Sequence, residues 1–328
     1  MTEKDFDVRL LTEKDFEGFA EIYEDFKCRA VNEYQFELEP LNFEGFTDAV
    51  KQEFINCIVL YENTKPAAFL VYTTIVSEAV ELNIIHSYKM ENTAERTKIL
   101  IGVFLKLTKD ERKNRVVCYP MLGAQKEFVS EIPQFGFKFL GIAVLRFMMQ
   151  GSASGDIFRL NAPAEPEDCY KIVTWDEAYA KDAVEVVHEA FKTSADILFD
   201  PRFKTLRGTQ DVIDKIVNNI YAEFLPEATS VLLYNGLPAG FCFMNLTGGT
   251  IANIPIVAIR KQHQGKGLSK YLLKNSVEKI LEQVDSGERP ITEINTTTET
   301  NNFQALKMYR HLGFREDYTY PQAYLPAK

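Results

Sequence analysis

The sequence predicts an α/β fold of mixed, mostly antiparallel sheets flanked by helices, arranged as two similar domains in tandem. Three observations carry that expectation. A chain of 328 residues is long enough for about two domains. Its strand and helix signals run through the same order twice. One stretch, I-V-A-I-R-K-Q-H-Q-G-K-G-L at 256–268, reads as a strand, a glycine turn and a helix start. It is followed by a second patterned stretch, N-F-Q-A-L-K-M-Y-R-H-L-G-F at 302–314.

The first half opens with D-V-R-L-L (7–11) as a short strand. A helix follows over 13–29, where Phe16, Phe19, Ala20, Ile22, Tyr23 and Phe26 form one apolar face. The stretch 32–46 mixes acids with aromatics. It reads as a core edge with solvated acids, or as a substrate-facing loop and helix. Cys57–Tyr61 and Ala68–Tyr72 are apolar strands joined by a turn at Asn63–Pro66. Val80–Ile85 reads as a strand, Glu95–Leu107 as a helix, Arg115–Tyr119 as a strand and Glu127–Ile132 as a short helix. Gly136–Phe139 and Ile142–Met148 read as a closing hairpin. Residues 150–168, rich in Gly, Ser, Ala and Pro without periodicity, read as a connection. The expected division is a domain at 1–150, a linker at 151–168 and a domain at 169–328.

The second half repeats the order. Tyr170–Val173 is a strand, and Asp176–Phe191 a helix with Asp176 near its N-cap. Val212–Phe224 is a second helix. Ser230–Tyr234 and Ala239–Asn245 form a hairpin around Asn235-Gly236. Thr250–Ile259 is the strand before the glycine turn, Glu293–Glu299 the next strand, Phe303–His311 a helix, and Arg315–Leu325 a last strand whose core role is the safer reading. The segments I-V-L-Y-E-N-T-K-P-A-A-F-L-V-Y (58–72) and V-L-L-Y-N-G-L-P-A-G-F-C-F-M (231–244) share their apolar punctuation. So do Q-F-G-F-K-F-L-G (134–141) and H-L-G-F-R-E-D-Y (311–318). Shared over about 140 residues per half, this reads as an internal duplication.

Glycine lets a backbone approach a ligand without a Cβ in the way, and a helix start offers free N–H groups and a positive dipole end. Gly265 and Gly267, ahead of the apolar face Leu268, Tyr271, Leu272, Val277, Ile280 and Leu281, therefore make an anion site suited to a pyrophosphate. Here the chain resembles a known family. Gln262-x-x-Gly265-x-Gly267 matches the Q/R-x-x-G-x-G/A signature of the GNAT superfamily of acyl-CoA-dependent N-acetyltransferases. Asn302, Ala305, Tyr309 and Leu312-Gly313-Phe314 match that family's later segment. The resemblance is specific over about 230–325 and looser elsewhere. It implies two GNAT-like domains in tandem.

It also implies acetyl-CoA as acyl donor and a primary amine, small-molecule or peptide, as acceptor. Main-chain groups at Ile256 and Val257 would pair with the pantetheine arm, leaving Gln262, His263, Gln264, Gly265, Lys266, Gly267 and Leu268 around the pyrophosphate. Asn302 would contact the arm, cap its helix, or both. Tyr309 would be the general acid, its alternative being a core tyrosine. No acid stands in 250–259, where many relatives carry their base. Glu293 and Glu299 read as a solvated strand face rather than as catalysts. Other candidates for a base are a water chain, an acid of the N-terminal domain, and the carboxylate at Lys328. The first half's counterpart of the turn, H-S-Y-K-M-E-N-T-A-E-R-T (86–97), has no glycine, and 125–135 has no Tyr. The N-terminal domain is therefore expected to be a degenerate copy without a cofactor site. A non-catalytic acyl-CoA-binding module, or the same fold with a longer acyl donor, remains the alternative.

Composition bounds the rest. A net charge of −10 disfavours a nucleic-acid partner. Arg260, Lys261, Lys266 and Lys270 could make the turn locally positive. No apolar run nears the roughly 20 residues that span a bilayer, and the acidic start M-T-E-K-D-F-D lacks a signal-peptide core. Five scattered cysteines without a C-x-x-C pair, and four separated histidines, argue against a disulfide framework or a metal centre and suit a reducing cytoplasm. None of those cysteines sits at a helix start, which favours direct transfer over an acyl-enzyme.

Overall fold

A computed structural model describes residues 6–32, 40–119, 126–149, 166–194 and 196–327. The chain packs as two compact units, residues 1–140 with 320–328, and residues 141–319. Most of the expected linker, 151–165, lies outside the described residues.

In the first unit the strands β1 (Phe6–Leu10), β2 (Asn56–Glu62), β3 (Lys65–Thr73), β4 (Ala79–Ser87) and β5 (Val116–Tyr119) lie in that order. All neighbours are antiparallel except β4 and β5. A parallel pair needs a crossover, which the helix Thr93–Leu107 provides. The period of two along a strand divides β2 and β3 between two cores. Ile58, Leu60 and Leu70 pack with Leu100, Ile101 and Phe104. Cys57, Val59, Phe69 and Val71 pack with Phe19, Tyr23, Phe26 and Phe46. Both faces are buried, so these strands read as continuous apolar runs.

The second unit holds two groups of strands. One has the order β6 (Lys138–Met148), β14 (Glu293–Glu299), β12 (Ile251–Asn253), β11 (Asn245–Thr247) and β8 (Glu223–Phe224). The other has the order β13 (Val257–Ile259), β10 (Leu237–Cys242), β9 (Ser230–Tyr234) and β7 (Tyr170–Thr174). Asn235 and Gly236 have φ of 49° and 84°, the left-handed pair that a two-residue hairpin turn between β9 and β10 requires. The helix Leu268–Asp285 buries Leu272, Leu273, Val277 and Ile280 completely, worth about 1.5–3 kcal/mol for each such side chain.

Several elements differ from the sequence reading. The expected strand 250–259 is two strands, because Pro255 has no N–H to continue a ladder. Ile251–Asn253 pairs with β14 and Val257–Ile259 with β10. The expected hairpin at 136–148 is one strand, Lys138–Met148, following the left-handed Gly136 (φ 89°). The helix expected at 212–224 runs over Leu206–Val217 and starts at Thr205, whose hydroxyl accepts the Gly208 N–H at 2.9 Å. Within 32–46, residues 33–39 lie outside the described ones. Asn42 caps a helix, Phe43–Lys51, by accepting the Gly45 N–H at 2.8 Å.

The last strand, β15 (Arg315–Leu325), is divided between the units, and Ala323–Leu325 pairs with β5. In exchange, Ile142–Met148 pairs antiparallel with β14. The compact units therefore do not follow a contiguous division at the linker.

Candidate active site

The split at Pro255 opens the site. β13 is an edge strand of its group and β14 belongs to the other group. Both line a cavity of about 480 Å³ within the second unit. Residues 256–259 and 296–299 form its walls, with the glycine turn, the start of the Leu268–Asp285 helix and the helix Phe303–His311.

The turn has the geometry that the glycines predict. Gly265 and Gly267 have φ of 78° and 76°, and a Cβ on either would stand in open space. Glycine is needed there for the left-handed backbone, and the space it leaves is accessible to a ligand. Gly267 caps the helix without a side-chain acceptor. Among the described residues, the amides of Gly265, Lys266, Gly267 and Leu268 find no backbone partner in the turn. Unpaired donors at the positive end of an 18-residue helix make a cradle that fits a pyrophosphate.

Ile256, Val257, His263, Gln264, Gly265, Gly267, Leu268, Asn302 and Tyr309 all line this cavity, whereas Gln262 and Lys266 do not. The Ile256 carbonyl accepts the Phe243 N–H at 3.0 Å, so that group is already used. His263 is buried. One ring nitrogen lies 2.9 Å from the Tyr170 hydroxyl and the other 3.2 Å from Gln262 Nε2. Burial, then the charges of Lys266 and Arg260, hold its pKa below the usual imidazole value. Lys266 Nζ turns to the Tyr170 hydroxyl at 3.1 Å. Asn302 accepts the Ala305 N–H at 3.1 Å and so caps its helix while lining the cavity. Of the four expected cations, Arg260 is taken up by Glu189 at 3.2 Å, with Glu185 and Asp182 at 3.8 and 4.0 Å. Lys270 lines the cavity.

Tyr309 is 5 % exposed, and its hydroxyl lies 3.4 Å from Thr296 Oγ1, whose own proton goes to the Ile254 carbonyl at 3.0 Å. Burial pushes the phenol well above its ordinary pKa, which keeps it protonated. Cys242 is buried and its thiol is pushed up to about 12 by burial, far from the thiolate that nucleophilic catalysis needs.

The expectation of solvated acids on β14 is wrong. Glu293 is 6 % exposed and bridges to Arg146 at 3.3 Å. Glu299 is 4 % exposed and lines the cavity, and its Oε1 has no hydrogen-bond partner among the described residues. Burial, helped by the nearby charge of Asp196, raises its pKa. The polar run T-T-T-E concealed this, because a strand's polar alternation does not say which face a tertiary fold covers. Asp196 and the rings of Phe191, Phe199 and Phe203 also line the cavity. They come from the last residue of the helix Ala180–Phe191 and the segment after it, for which the sequence carried no catalytic pattern.

The segment 86–97 of the first unit, expected to be the counterpart of the turn, has no glycine. After β4 the backbone turns left-handed at Lys89, Met90 and Asn92 (φ 50°, 54° and 49°), all of which carry a Cβ. Arg96, 4 % exposed, forks onto Glu62 at 2.9 and 3.1 Å and donates to Ser87 Oγ at 3.0 Å and the Tyr88 carbonyl at 3.2 Å.

Among the described residues no helix is long and apolar enough to cross a membrane, and no group of three or more His, Cys, Asp or Glu is arranged to hold a metal ion.

Residues 226–316 match the model of the acetyltransferase (GNAT) domain. No curated protein matches the chain. Solved structures resemble it over its whole length. A GCN5-related N-acetyltransferase from Sphaerobacter thermophilus is 14 % identical, with a TM-score of 0.62 over 98 % of this chain and 96 % of that one. A tandem GNAT protein from the clavulanic acid biosynthesis pathway is 12 % identical, with a TM-score of 0.59 over 99 % of each chain. A glucosamine N-acetyltransferase region of a fungal multi-domain β-N-acetylglucosaminidase is 10 % identical, with a TM-score of 0.63 over 99 % of this chain and 38 % of that one. Residues 226–316 thus match the acetyltransferase (GNAT) domain, and the chain as a whole has the fold of solved GNAT structures, a tandem one among them.

Proposed function

We propose that the second unit is an N-acetyltransferase that moves an acetyl group from acetyl-CoA to a primary amine by direct transfer. The observation that carries this reading is the coincidence in one cavity of an open glycine cradle, a buried phenol and a buried, half-unpaired carboxylate.

In this reading the turn amides from Gly265 to Leu268 hold the pyrophosphate. The open edge of β13 at Val257 takes the pantetheine arm, with Asn302 beside it. Lys266, released from Tyr170, and Lys270 add positive charge. The donor supplies an activated thioester. Glu299 takes one proton from the acceptor ammonium and passes it to solvent. The amine nitrogen then forms its C–N bond to the acetyl carbon as the C–S bond breaks. Tyr309 gives its proton to the departing sulfur and recovers one from the nitrogen. The ammonium thus loses two protons, one to the thiol and one to solvent. A carboxylate whose pKa is raised by burial is closer to that of an amine, so the transfer is less uphill than to a solvated acid. The Cys242 thiol, held protonated, leaves no acyl-enzyme route through that residue.

The first unit is read as a copy without a cofactor site. What supports this is that the 89–92 turn carries Cβ atoms at its left-handed residues, where the second unit has glycines, and that Arg96 is engaged by Glu62, Ser87 and Tyr88. The five free cysteines suit a reducing cytoplasm.

Calorimetric titration with acetyl-CoA, beside the double variant Gly265→Glu/Gly267→Glu, tests the reading. Binding by the wild type that is lost in the variant, together with thiol release on adding amines, supports it. No binding by the folded wild type overturns it. Binding without any amine-dependent release leaves a non-catalytic acyl-CoA-binding module.

A further inference from the structure

The walls of the cavity differ in charge and polarity. From the turn and helix start come unpaired N–H groups and Lys270, the only lysine or arginine among the described residues that line it. From β14, the end of the Ala180–Phe191 helix and the segment after it come Glu299, Asp196, and the rings of Phe191, Phe199 and Phe203. The first set suits an anion and is accounted for by the acyl donor. The second set has no partner in that reading beyond a generic amine.

Three features of the second set narrow the amine. Glu299 is buried with an oxygen left unpaired, and such a group is costly unless an incoming donor satisfies it. Asp196 is close enough to act electrostatically on both Glu299 and Tyr309. A ligand entering here therefore meets two carboxylates, and a carboxylate of its own would be a third like charge. The rings of Phe191 and Phe203 lie 4.9 Å apart at an interplanar angle of 30°. Together with Phe199 they offer a hydrocarbon body a place to bury and an ammonium a π-face.

We propose that the acceptor is a small primary amine on a hydrocarbon or aromatic body, with no carboxylate beside the reacting nitrogen. This proposal rests on the acetyltransferase reading of the same cavity.

Matched pairs that differ only in the carboxylate test it: phenethylamine against phenylalanine, and pentylamine against norleucine. Thiol release from acetyl-CoA is measured for each, with calorimetric titration of acetyl-CoA in parallel. The expected result is a kcat/KM at least about tenfold higher for the carboxylate-free member of each pair. Asp196→Asn narrows that ratio, because it removes one of the two repelling charges. Equal rates within a pair, or a preference for the amino acid, overturn the proposal while leaving the acetyltransferase reading intact. If acetyl-CoA binds and no amine turns over, saturation-transfer NMR on the CoA-loaded protein decides. Selective binding of the carboxylate-free members supports the assignment, and equal binding or none overturns it. If acetyl-CoA itself does not bind, the underlying reading fails and the proposal falls with it.

Discussion

Replacing Glu299 by Gln is the sharpest perturbation the structure offers. Gln keeps the size and planarity of the carboxyl group and removes only its charge and basicity. A positioned general base contributes about 10²–10⁴ in rate, or about 3–5 kcal/mol of barrier. The expected outcome is a fall of that size in kcat, read by thiol release, with acetyl-CoA affinity unchanged within a few-fold, because Glu299 is not part of the turn. Two further readouts separate a base from a wall residue. The wild-type rate rises with pH as Glu299 loses its proton, at a pH above the ordinary carboxylate range because burial raises its pKa. Glu299→Gln lacks that limb. Stability moves the other way. The folded chain holds this proton to higher pH than the unfolded chain, so stability falls as pH rises from the ordinary carboxylate value through the raised one. Glu299→Gln escapes that cost, so its Tm at pH 7 equals or exceeds that of the wild type, and the difference closes in acid. A variant that keeps its rate within threefold on the order-of-magnitude scale above, or that is markedly less stable at pH 7, refutes the reasoning.

Four other outcomes follow from the same geometry. Tyr309→Phe removes a phenolic proton from a buried ring that is otherwise kept, and kcat falls about 10²-fold with acetyl-CoA binding retained. Gly267→Ala places a Cβ on a residue at φ 76°. Unfolding shows a loss of about 1–2 kcal/mol, while acetyl-CoA affinity in calorimetry falls beyond that, because the added methyl enters ligand space. His263 is kept neutral by burial and by Lys266 and Arg260. Its folded pKa lies below the unfolded value, so stability is lost as pH falls through the ordinary imidazole range toward the depressed one; His263→Asn flattens that acid limb in Tm-against-pH scans. Arg96→Met strips a buried ion pair from the first unit. It costs about 3–5 kcal/mol in denaturant melts and leaves acetyl-CoA affinity in the second unit unchanged.

What could be read from the sequence was local. The turn at 264–268 was visible because two glycines and an amphipathic run sit within one short stretch. The Asn235-Gly236 hairpin was visible because an Asn-Gly pair stands between two apolar runs. The splitting of 250–259 was written in Pro255, but it competed with a continuous apolar run on either side. The burial of Glu299 was not visible at all, since it depends on what the segment from Phe191 to Phe203 covers. Arg260 read, from its neighbours in sequence, as one of four cations that could make the turn locally positive. Its actual partners, Asp182, Glu185 and Glu189, lie on one face of a distant helix at spacings that only the fold brings round. Arg96 and Glu62 likewise meet across a gap that periodicity cannot bridge.

The division of β15 between the units has a consequence for how the chain is made. The edge of β5 at Val117–Tyr119 pairs with Ala323–Leu325, which a ribosome adds only after all of the second unit's residues. At about 5–20 residues per second, the roughly 200 intervening residues take on the order of ten to forty seconds. For that interval a nascent chain carries an open strand edge, the kind that recruits other chains. The brevity of β5, only Val116–Tyr119, limits that hazard. The part of the molecule synthesised first is thus the last to be finished, and its vulnerable lifetime is set by the translation of its neighbour.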